Sequence, residues 1–419
     1  MIEIKEKKDC CGCWACVQRC PKHCITMKED SEGFLYPEVD QSSCIDCGLC
    51  EKVCPVINRE EARRPLESLA AINPDEKVRM ASSSGGVFTL LATQVLAEGG
   101  VVFGARFNDR WEVVHDVAED AESLAALRES KYVQSRIGDS FARAERYLKS
   151  GRKVLFTGTP CQIAGLRRFL RKEYDGLLAV DFICHGVPSP GVFRQYLKEV
   201  TARQRGGKNT VSSHPLSSIA EPDAPIAGIR FRDKVKGWKK YSFSLTLSAT
   251  GGSGTKNSVF LSEVFTKNPY LKGFLADLYL RPSCYSCPAK SLSSGSDVTI
   301  ADFWGVSSVL PDWDDDSGTS VVLVNTEKGR AAVATCGART CPADFDTISR
   351  LNPAVNKSVP CPAKRSKFFI QDGRTFQQKI KVLCRPTLKA RVCSAAASVV
   401  RTVLGRNGLR HVKSLMGRK

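Results

Sequence analysis

Nineteen cysteines occur in the 419 residues, and eight of them form two runs of identical spacing near the start of the chain. Each run is C-x2-C-x2-C-x3-C and is followed at once by a proline, Pro21 in the first run and Pro55 in the second. Three thiolates on one short loop suit three corners of an iron–sulfur cube, and the fourth, stiffened by the proline, points to another cube. The spacing therefore predicts two [4Fe–4S] clusters, held by Cys10, Cys13, Cys16 and Cys54 and by Cys20, Cys44, Cys47 and Cys50.

The tandem runs resemble those of bacterial two-cluster ferredoxins, and residues 25–40 between them are similar to the hairpin that separates the runs there. A zinc site is disfavoured because structural zinc uses paired C-x2-C knuckles without a third and fourth cysteine in step. Cys11 and Cys24 stand outside the ligand spacing, and we interpret both as small buried packing residues.

Four further cysteines are candidates for a third centre. Cys161 follows the strand pattern RKVLFTG, and Cys184 follows the strand pattern GLLAVDFI. Open α/β sheets bind ligands at the carboxyl ends of their strands, and the first turn of a helix at Cys161 favours a thiolate. Cys284 and Cys287 form a C-x2-C pair. Spacing alone supports a third [4Fe–4S] cluster and a set of buried apolar thiols equally. The remaining cysteines show no ligand spacing and are interpreted as structural: Cys336, Cys341, Cys361, Cys384 and Cys393.

The elements that must position these residues alternate between helix and strand after a linker at residues 59–67. A helix is expected from the end of Ser82–Gly86 to Gly99, and Thr159 and Ser189 are expected to cap helices that start at the following prolines. This alternation predicts a parallel or mixed sheet. Alternating apolar and polar residues predict antiparallel strands between residues 229 and 262, after a surface loop at residues 206–227.

Seven strings in this order resemble the family of beta subunits of coenzyme F420 hydrogenases and dehydrogenases: SSSGGVFT, SKYVQS, FTGTPCQIAGL, DFICHGVPSPGVF, RFRDKVKGW, RPSCYSCPAK and DVTIADFWG. The resemblance covers roughly residues 1–350, and bacterial members similar to this chain often carry a fused two-cluster ferredoxin. It implies a flavin, usually FAD, beside an iron–sulfur cluster in the body of the protein. It thereby favours the third cluster on Cys161, Cys184, Cys284 and Cys287.

No GxGxxG follows a strand, so the Rossmann mode of binding FAD is not supported. Small residues with free backbone N–H groups at a helix start suit a pyrophosphate, although a plain helix cap is the alternative. With the resemblance, the predicted flavin contacts are Ser82, Ser84, Gly85, Gly86, Lys131, Tyr132, Thr157, Gly158, Thr159 and Gln162. His185 is a candidate proton donor, Asp302 and Asp181 are candidate acids, and each of the three has a structural alternative.

The composition is that of an ordinary globular protein, with 42% hydrophobic and 25% charged residues, which excludes a wholly disordered chain. No apolar run reaches about 18 residues, and no apolar stretch follows the first charges, so we expect no secretory signal, a cytoplasmic location and reduced thiols. The expected fold is a mixed α+β and α/β chain. Its predicted parts are a two-cluster ferredoxin-like domain at 1–58, a flavin- and cluster-binding body at 68–150 and 151–350, and a basic helical tail at 351–419.

The predicted function is an iron–sulfur flavoprotein oxidoreductase that passes electrons from a ferredoxin or another redox protein to FAD and a small organic acceptor. A coenzyme F420-reducing or F420-oxidising enzyme and a non-catalytic electron-transfer subunit remain alternatives.

From Arg350 onward the chain has 17 Lys or Arg and one acid, out of a net charge of +18. This tail fits a docked helix, an anionic membrane surface or an acidic ferredoxin. Nucleic-acid binding is poorly supported, because stacking aromatics do not accompany the basic residues.

Overall fold

The computed structural model describes residues 1–204, 226–251 and 254–385. The helix pattern predicted after Leu388, the residue Cys393 and nearly all of the loop predicted at 206–227 lie outside these described residues.

The strands are β1 Ile25–Glu29, β2 Leu35–Val39, β3 Glu67–Ile72, β4 Val101–Phe107, β5 Val113–Ala118, β6 Val154–Gly158, β7 Leu177–Phe182, β8 Ile226–Asp233, β9 Ser242–Gly251, β10 Gly254–Val264, β11 Val298–Asp302, β12 Ser320–Val324 and β13 Arg339–Pro342. The helices are α1 Ala15–Arg19, α2 Leu49–Lys52, α3 Glu76–Met80, α4 Val87–Ala97, α5 Ala121–Leu127, α6 Ser140–Lys149, α7 Pro160–Leu170, α8 Pro190–Gln204, α9 Pro269–Leu275, α10 Glu327–Thr335, α11 Phe345–Leu351, α12 Arg365–Phe369 and α13 Phe376–Leu383.

The two cysteine runs fold alike. Each leads into a very short helix, α1 or α2, and the residue before each helix is left-handed, Trp14 at φ 67° and Gly48 at φ 69°. Between the runs, β1 pairs with β2 in antiparallel register, Ile25 opposite Val39, which confirms the predicted hairpin. The first run lies against the body, where Cys11 and Cys13 share a core with body residues, whereas Cys47 of the second run is exposed.

An eight-stranded mixed sheet forms the centre of the body, in the order β13-β3-β12-β11-β7-β6-β4-β5. Neighbours among β4, β6, β7 and β11 are parallel, whereas β5, β12, β3 and β13 add antiparallel pairs. This confirms the mixed α/β fold. Strands β3 and β13 were not predicted, because β3 begins where the linker was expected to end and β13 has only four residues.

Helices cover both faces of the large sheet. On one face, α4, α5 and α10 pack on the apolar side chains of the central strands. On the other, α6 and α7 pack with Phe103, Phe156 and residues of α1, so the ferredoxin-like domain shares a hydrophobic core with the body. A second, three-stranded sheet, β10-β9-β8, packs with α8, α9 and α13 around an aromatic core. This sheet confirms the antiparallel strands predicted between residues 229 and 262.

The helix starts behave as predicted at two strand ends that matter for the site. Thr159 and Gln162 form a reciprocal capping box with Pro160 in the first position of α7. The Ser189 hydroxyl accepts a hydrogen bond from the Val192 amide at the start of α8. Within the residues that the structure describes, no helix combines the length and apolar character needed to cross a bilayer.

Candidate iron–sulfur and redox site

The first predicted cysteine set surrounds a single cavity in the ferredoxin-like domain. Cys10, Cys13, Cys16 and Cys54 all line it, and its volume is about 350 Å³ including its opening. Its other walls are mainly apolar, among them Ile2 and Ile4 from the chain start, Met27 and Pro37 from the hairpin, and Val56. Apolar walls limit the access of water to whatever the four thiols hold.

The second predicted set lines a second cavity of about 350 Å³, formed by Cys20, Cys44, Cys47 and Cys50. This cavity is closer to solvent, because Cys47 is exposed and its neighbour Ile45 has 58% of its surface exposed. Two of the sulfurs accept hydrogen bonds from backbone amides, Cys50 from Ile2 at 3.2 Å and Cys44 from Asp46 at 3.4 Å.

The third candidate set also converges, although its members come from distant parts of the chain. Cys161 and Cys184 follow the adjacent parallel strands β6 and β7, and Cys284 and Cys287 lie on and directly after the short 3₁₀ helix Pro282–Ser286. All four line one cavity of about 610 Å³ including its opening. The cavity is larger than either of the other two, and Phe182, Lys290 and Val355 also contribute to its wall.

In each set the four thiols line a cavity and do not converge on a single ion. In the described ranges 1–204, 226–251 and 254–385, no three Cys, His, Asp or Glu side chains are close enough together to hold a single metal ion. Four thiols around one cavity are the donor type and number that a cubane uses.

Burial raises the pKa of the thiols in the third set. The pKa of Cys284 is raised to about 12 and that of Cys287 to about 11, in both cases mainly by burial. The pKa of Cys161 is raised by a hydrogen bond with Cys11 and by burial, so the helix start alone does not produce the thiolate that the sequence suggested. Burial also raises the pKa of Cys184, and Lys290 partly opposes that effect. Metal binding at such a site must displace protons.

Cys11 has a more specific position than that of a packing residue. It is buried and lines both the first cavity and the third. Cys24, also buried, lines the second cavity, with its sulfur 3.4 Å from that of Cys20. The sequence interpretation of both residues as buried is confirmed, whereas their places in the cavity walls were not predicted.

His185 lies in the wall of the third cavity, and its Nε2 is 2.6 Å from the Asp277 carboxylate. Asp277 has a left-handed backbone, φ 57°, and its carbonyl accepts a hydrogen bond from the Tyr285 hydroxyl. Asp277 therefore fixes the orientation of the imidazole at the cavity. The sequence offered no signal for this pairing, because 92 positions separate the two residues.

Asp302 is held in a buried ion pair. Its carboxylate accepts hydrogen bonds from both terminal nitrogens of Arg232, at 2.9 and 3.1 Å, and from the Trp238 indole N–H at 2.9 Å. Arg232 is 2% exposed and also contacts the Tyr132 hydroxyl. This environment favours the structural alternative for Asp302 over the role of an acid.

Asp181 is fully buried, and burial raises its pKa to about 6. Its two oxygens accept hydrogen bonds from the hydroxyls of Ser294 and Thr299. Asp181 and Thr299 line the third cavity, so this carboxyl belongs to the wall of that cavity.

Four of the residues predicted to bind a flavin lie in the loop Ser82–Gly86, directly before α4. The loop Ser82–Gly86 lies against Ser130, whose amide donates to the Ser83 hydroxyl at 2.7 Å. The hydroxyls of Ser82 and Ser84 donate to the carbonyls of Val78 and Thr319. These polar groups already have partners inside the chain.

Gly85 also serves the packing of the loop, since a Cβ atom there would stand 2.5 Å from the Ala71 carbonyl oxygen. Gly86 takes a left-handed backbone, φ 83°, just before α4.

The other predicted flavin contacts are similarly occupied. The Lys131 ammonium donates to the carbonyls of Ala126 and Arg128, and burial lowers its pKa to about 7. The Thr157 hydroxyl donates to the Phe103 carbonyl. The remaining contacts are equally internal: Gly158 packs against Gln162, Thr159 and Gln162 cap α7, and Tyr132 stacks on Phe274. The predicted set therefore does not form an open cradle.

The comparisons with known proteins agree with the architecture. Residues 68–140 match the N-terminal and residues 151–341 the C-terminal part of the family described as coenzyme F420 hydrogenase/dehydrogenase, beta subunit. Residues 9–58 match the 4Fe-4S dicluster domain. Together the two beta-subunit matches span more than half of the chain. The chain therefore belongs to the family of coenzyme F420 hydrogenase/dehydrogenase beta subunits and carries an N-terminal iron–sulfur dicluster domain.

Curated relatives are distant. The chain is 24% identical over 215 residues to an F(420)H(2) dehydrogenase subunit of Methanosarcina mazei. The matched region covers 47% of this chain and 61% of that protein. It is 28% identical over 191 residues to a coenzyme F420-dependent sulfite reductase of Methanocaldococcus jannaschii, covering 44% of this chain and 29% of the relative. The chain thus spans less than two thirds of the length of these relatives.

The ferredoxin-like domain has relatives of its own. It is 40% identical over 55 residues to a ferredoxin of Streptomyces griseus, covering 13% of this chain and 41% of the ferredoxin. Among solved structures, a chain of the F420-reducing [NiFe] hydrogenase complex of Methanosarcina barkeri is similar at 16% identity and a TM-score of 0.43, covering 72% of this chain and 97% of that one.

Proposed function

We propose that this chain is an iron–sulfur oxidoreductase that passes electrons from a ferredoxin-type donor across three [4Fe–4S] clusters toward an organic acceptor. When bound, such clusters each carry one electron at a time. The observation that carries the proposal is that each of three cavities is lined by all four members of one predicted cysteine set, with Cys11 and Cys24 as additional cysteines in the walls. Family membership and the dicluster domain support the redox class.

The ligands would be divided as the spacing suggested. The first cavity would use Cys10, Cys13, Cys16 and Cys54, the second Cys20, Cys44, Cys47 and Cys50, and the third Cys161, Cys184, Cys284 and Cys287. Two features support the fit of these residues to clusters: the donors are thiols, and each set has four of them. Backbone amides also donate hydrogen bonds to the sulfurs, as the Val187 amide does to the Cys284 sulfur at 3.4 Å.

The surroundings of the three sets favour one order in which electrons would pass between them. The second set has an exposed member, Cys47, which suits contact with a soluble electron donor. The first set lies between the second and the body, and Cys11 stands in the walls of both the first and the third cavities. The residues thus favour entry at the second set and delivery to the third, although the same contacts serve the reverse direction.

A flavin is implied by the resemblance rather than by the geometry. The residues predicted to bind it have internal partners, such as the carbonyls that hold Lys131 and the Phe103 carbonyl that holds Thr157. They therefore do not fit as an open flavin cradle. We assign no step to a flavin, and its presence is a separate readout in the experiments below.

A second candidate, a coenzyme F420-reducing or F420-oxidising enzyme, is supported equally by the relatives, two of which are named for that coenzyme. A non-catalytic subunit of a larger redox complex is the third. For either of these two candidates, the three cysteine sets and the order in which electrons pass between them would be unchanged.

The experiment is an anaerobic electron-transfer assay on the full chain. The oxidised protein is mixed with a catalytic amount of ferredoxin that an enzymatic reducing system keeps reduced, bleaching of the iron–sulfur absorbance is followed, and excess coenzyme F420 is then added. We expect ferredoxin to bleach the protein and a Cys47→Ser variant to be bleached more slowly, because Cys47 lies at the exposed second set. A Cys336→Ser variant, at a buried cysteine outside the three cavities, is the matched control.

Three outcomes separate the candidates. Loss of F420 absorbance after its addition would establish the F420 enzyme in place of the wider proposal. Reoxidation by added quinones or other soluble organic acceptors, with no partner protein, would exclude the non-catalytic subunit. A protein that reduced ferredoxin cannot bleach would contradict the ferredoxin-type donor.

A further inference from the structure

A single buried arginine joins the body to the first cysteine set. Arg281 is 1% exposed and stands three residues before Cys284. Its backbone belongs to the body, where its amide donates to the Val187 carbonyl and its carbonyl accepts from the Cys284 amide. Its side chain extends into the ferredoxin-like domain.

The guanidinium has donors directed at four groups. Nε donates to the Cys10 carbonyl at 2.7 Å, Nη1 to the Gln134 amide oxygen at 2.9 Å, and Nη2 to the Leu35 carbonyl at 2.9 Å. Nη2 is also 3.5 Å from the Cys10 sulfur. The rings of Phe34 and Tyr36 are 5.4 and 4.3 Å from the guanidinium carbon.

The loop between Cys10 and Cys13 is shaped to receive this side chain. Gly12 takes a left-handed backbone, φ 70°, and a Cβ atom there would stand 2.9 Å from the guanidinium carbon of Arg281 and 2.8 Å from the Gln134 amide nitrogen. The same Gln134 nitrogen donates to the Cys11 carbonyl at 3.0 Å. Two body residues, Arg281 and Gln134, therefore contact this loop together.

Burying a positive charge is costly unless an anion or several acceptors compensate it. Within the part of the chain that the structure describes, the Arg281 guanidinium donates to three neutral oxygens and one cysteine sulfur, and to no carboxylate. A thiolate-bound cluster on the first set would add a negative charge beside this guanidinium, where no carboxylate among the described residues does so. Arginine stays protonated at all ordinary pH values, so this positive charge is permanent.

We propose that Arg281 is a positioning residue that seats the Cys10–Cys13 loop on the body and favours the reduced state of the cluster held by the first set. A cluster gains one negative charge when it accepts one electron from an outside donor, and a fixed positive charge and a hydrogen bond to a ligand sulfur favour that state. The inference rests on the proposed function only for the presence of a cluster on the first set. It holds even if the third set binds none.

The experiment is an anaerobic redox titration of the full chain, with dithionite as reductant and dyes as mediators, followed by electron paramagnetic resonance. In Arg281→Met we expect one cluster to become harder to reduce, with its oxidised-to-reduced ratio at fixed potential raised about tenfold, or about 59 mV for a one-electron couple. The other clusters should titrate as in the wild type. Arg281→Lys keeps the charge but cannot reach all four acceptors, so its shift should be smaller.

Arg194→Met is the matched control, because Arg194 also joins the body to the ferredoxin-like domain, through an ion pair with the Glu29 carboxylate of β1. Equal shifts in Arg194→Met and Arg281→Met would overturn the proposal in favour of domain seating alone. Unchanged midpoints in Arg281→Met with full iron content would also overturn it. If Arg281→Met loses iron, Arg281→Gln decides, because it removes the charge and keeps an amide donor, and a Gln variant identical to wild type in all midpoints contradicts the proposal.

A wild-type chain with eight irons would refute the third cluster of the proposed function, and the Arg281 shift would still be measurable. Twelve irons with no Arg281 shift would refute only the present inference.

Discussion

The chemistry of single side chains here depends on which cavity wall each belongs to. Cys284 and Cys336 are both thiols with pKa values raised by burial. Cys284 lines the third cavity, whereas Cys336 packs in the core of α4 and α10 and donates to the Val333 carbonyl. The same residue type therefore has a proposed ligand role in one place and a packing role in the other.

This difference predicts the effect of removing each thiol. Cys284→Ser should lower the iron content of anaerobically purified protein by about four per chain, because a cubane loses one of its four thiolates. Cys336→Ser should retain the wild-type iron content. Iron and acid-labile sulfide measured per chain test both. Equal iron contents in wild type and Cys284→Ser would contradict the third ligand set.

The buried carboxyl of Asp181 predicts a pH effect on stability. Its pKa is raised to about 6 in the folded protein by burial, against about 3.9 in the unfolded chain. The folded state therefore binds more protons in this range, and its added stability is full below about pH 4 and is lost as the pH rises through 6.

Between pH 5 and pH 7, the wild type should lose about 1 kcal/mol of unfolding free energy relative to Asp181→Asn, whose side chain does not titrate. Denaturant unfolding of both proteins at the two pH values measures this difference. Parallel changes in the two proteins would show that Asp181 does not titrate in this range.

At the level of elements, α7 contacts two of the three cysteine sets. Its first turn carries Cys161, and one turn further on Gly165 faces the first set: a Cβ atom at Gly165 would stand 2.8 Å from Cys13 Cβ and 3.0 Å from its sulfur. Alanine is otherwise favoured over glycine within a helix by about 1 kcal/mol. Glycine here allows α7 to approach the cysteine loop.

Gly165→Ala should therefore destabilise the protein by about 1–3 kcal/mol through overpacking, despite its better helix propensity. The loss should appear in denaturant unfolding and as faster release of iron from the first set. Gly228→Ala, where the nearest atom to the new Cβ would be 3.8 Å away, is the control and should change stability little. A Gly165→Ala protein as stable as the wild type would show that α7 and the loop are not tightly packed.

The elements also show what the sequence could and could not predict. The hairpin β1–β2, the cap of α7 at Thr159 and the mixed sheet follow from local patterns, and all three are confirmed. Strand β3 was missed because it begins where the linker was expected to end, and β13 was missed because it is an edge strand of only four residues. The roles of Arg281 and Asp277 could not be predicted, because their partners lie far away in sequence and only the folded chain brings them together.

In the whole molecule, the ferredoxin-like domain is attached to the body by polar contacts around a shared apolar core. Arg365 pairs with Glu32 at the tip of the hairpin, and Arg19 is 3.7 Å from Glu145 of α6. The core between them includes Cys13 and Phe141. This attachment directs the first cysteine set toward the body and leaves the second facing outward. Spacing predicted the members of each set, whereas this orientation required the structure.

The central claim is that three four-cysteine sets hold three clusters in one chain. Its most direct test is anaerobic purification of the full chain, followed by quantitation of iron, acid-labile sulfide and flavin per polypeptide. We expect twelve irons and twelve sulfides, with the flavin content determined independently of them. Eight irons would contradict the third cluster, and zinc in place of iron would contradict the relay as a whole.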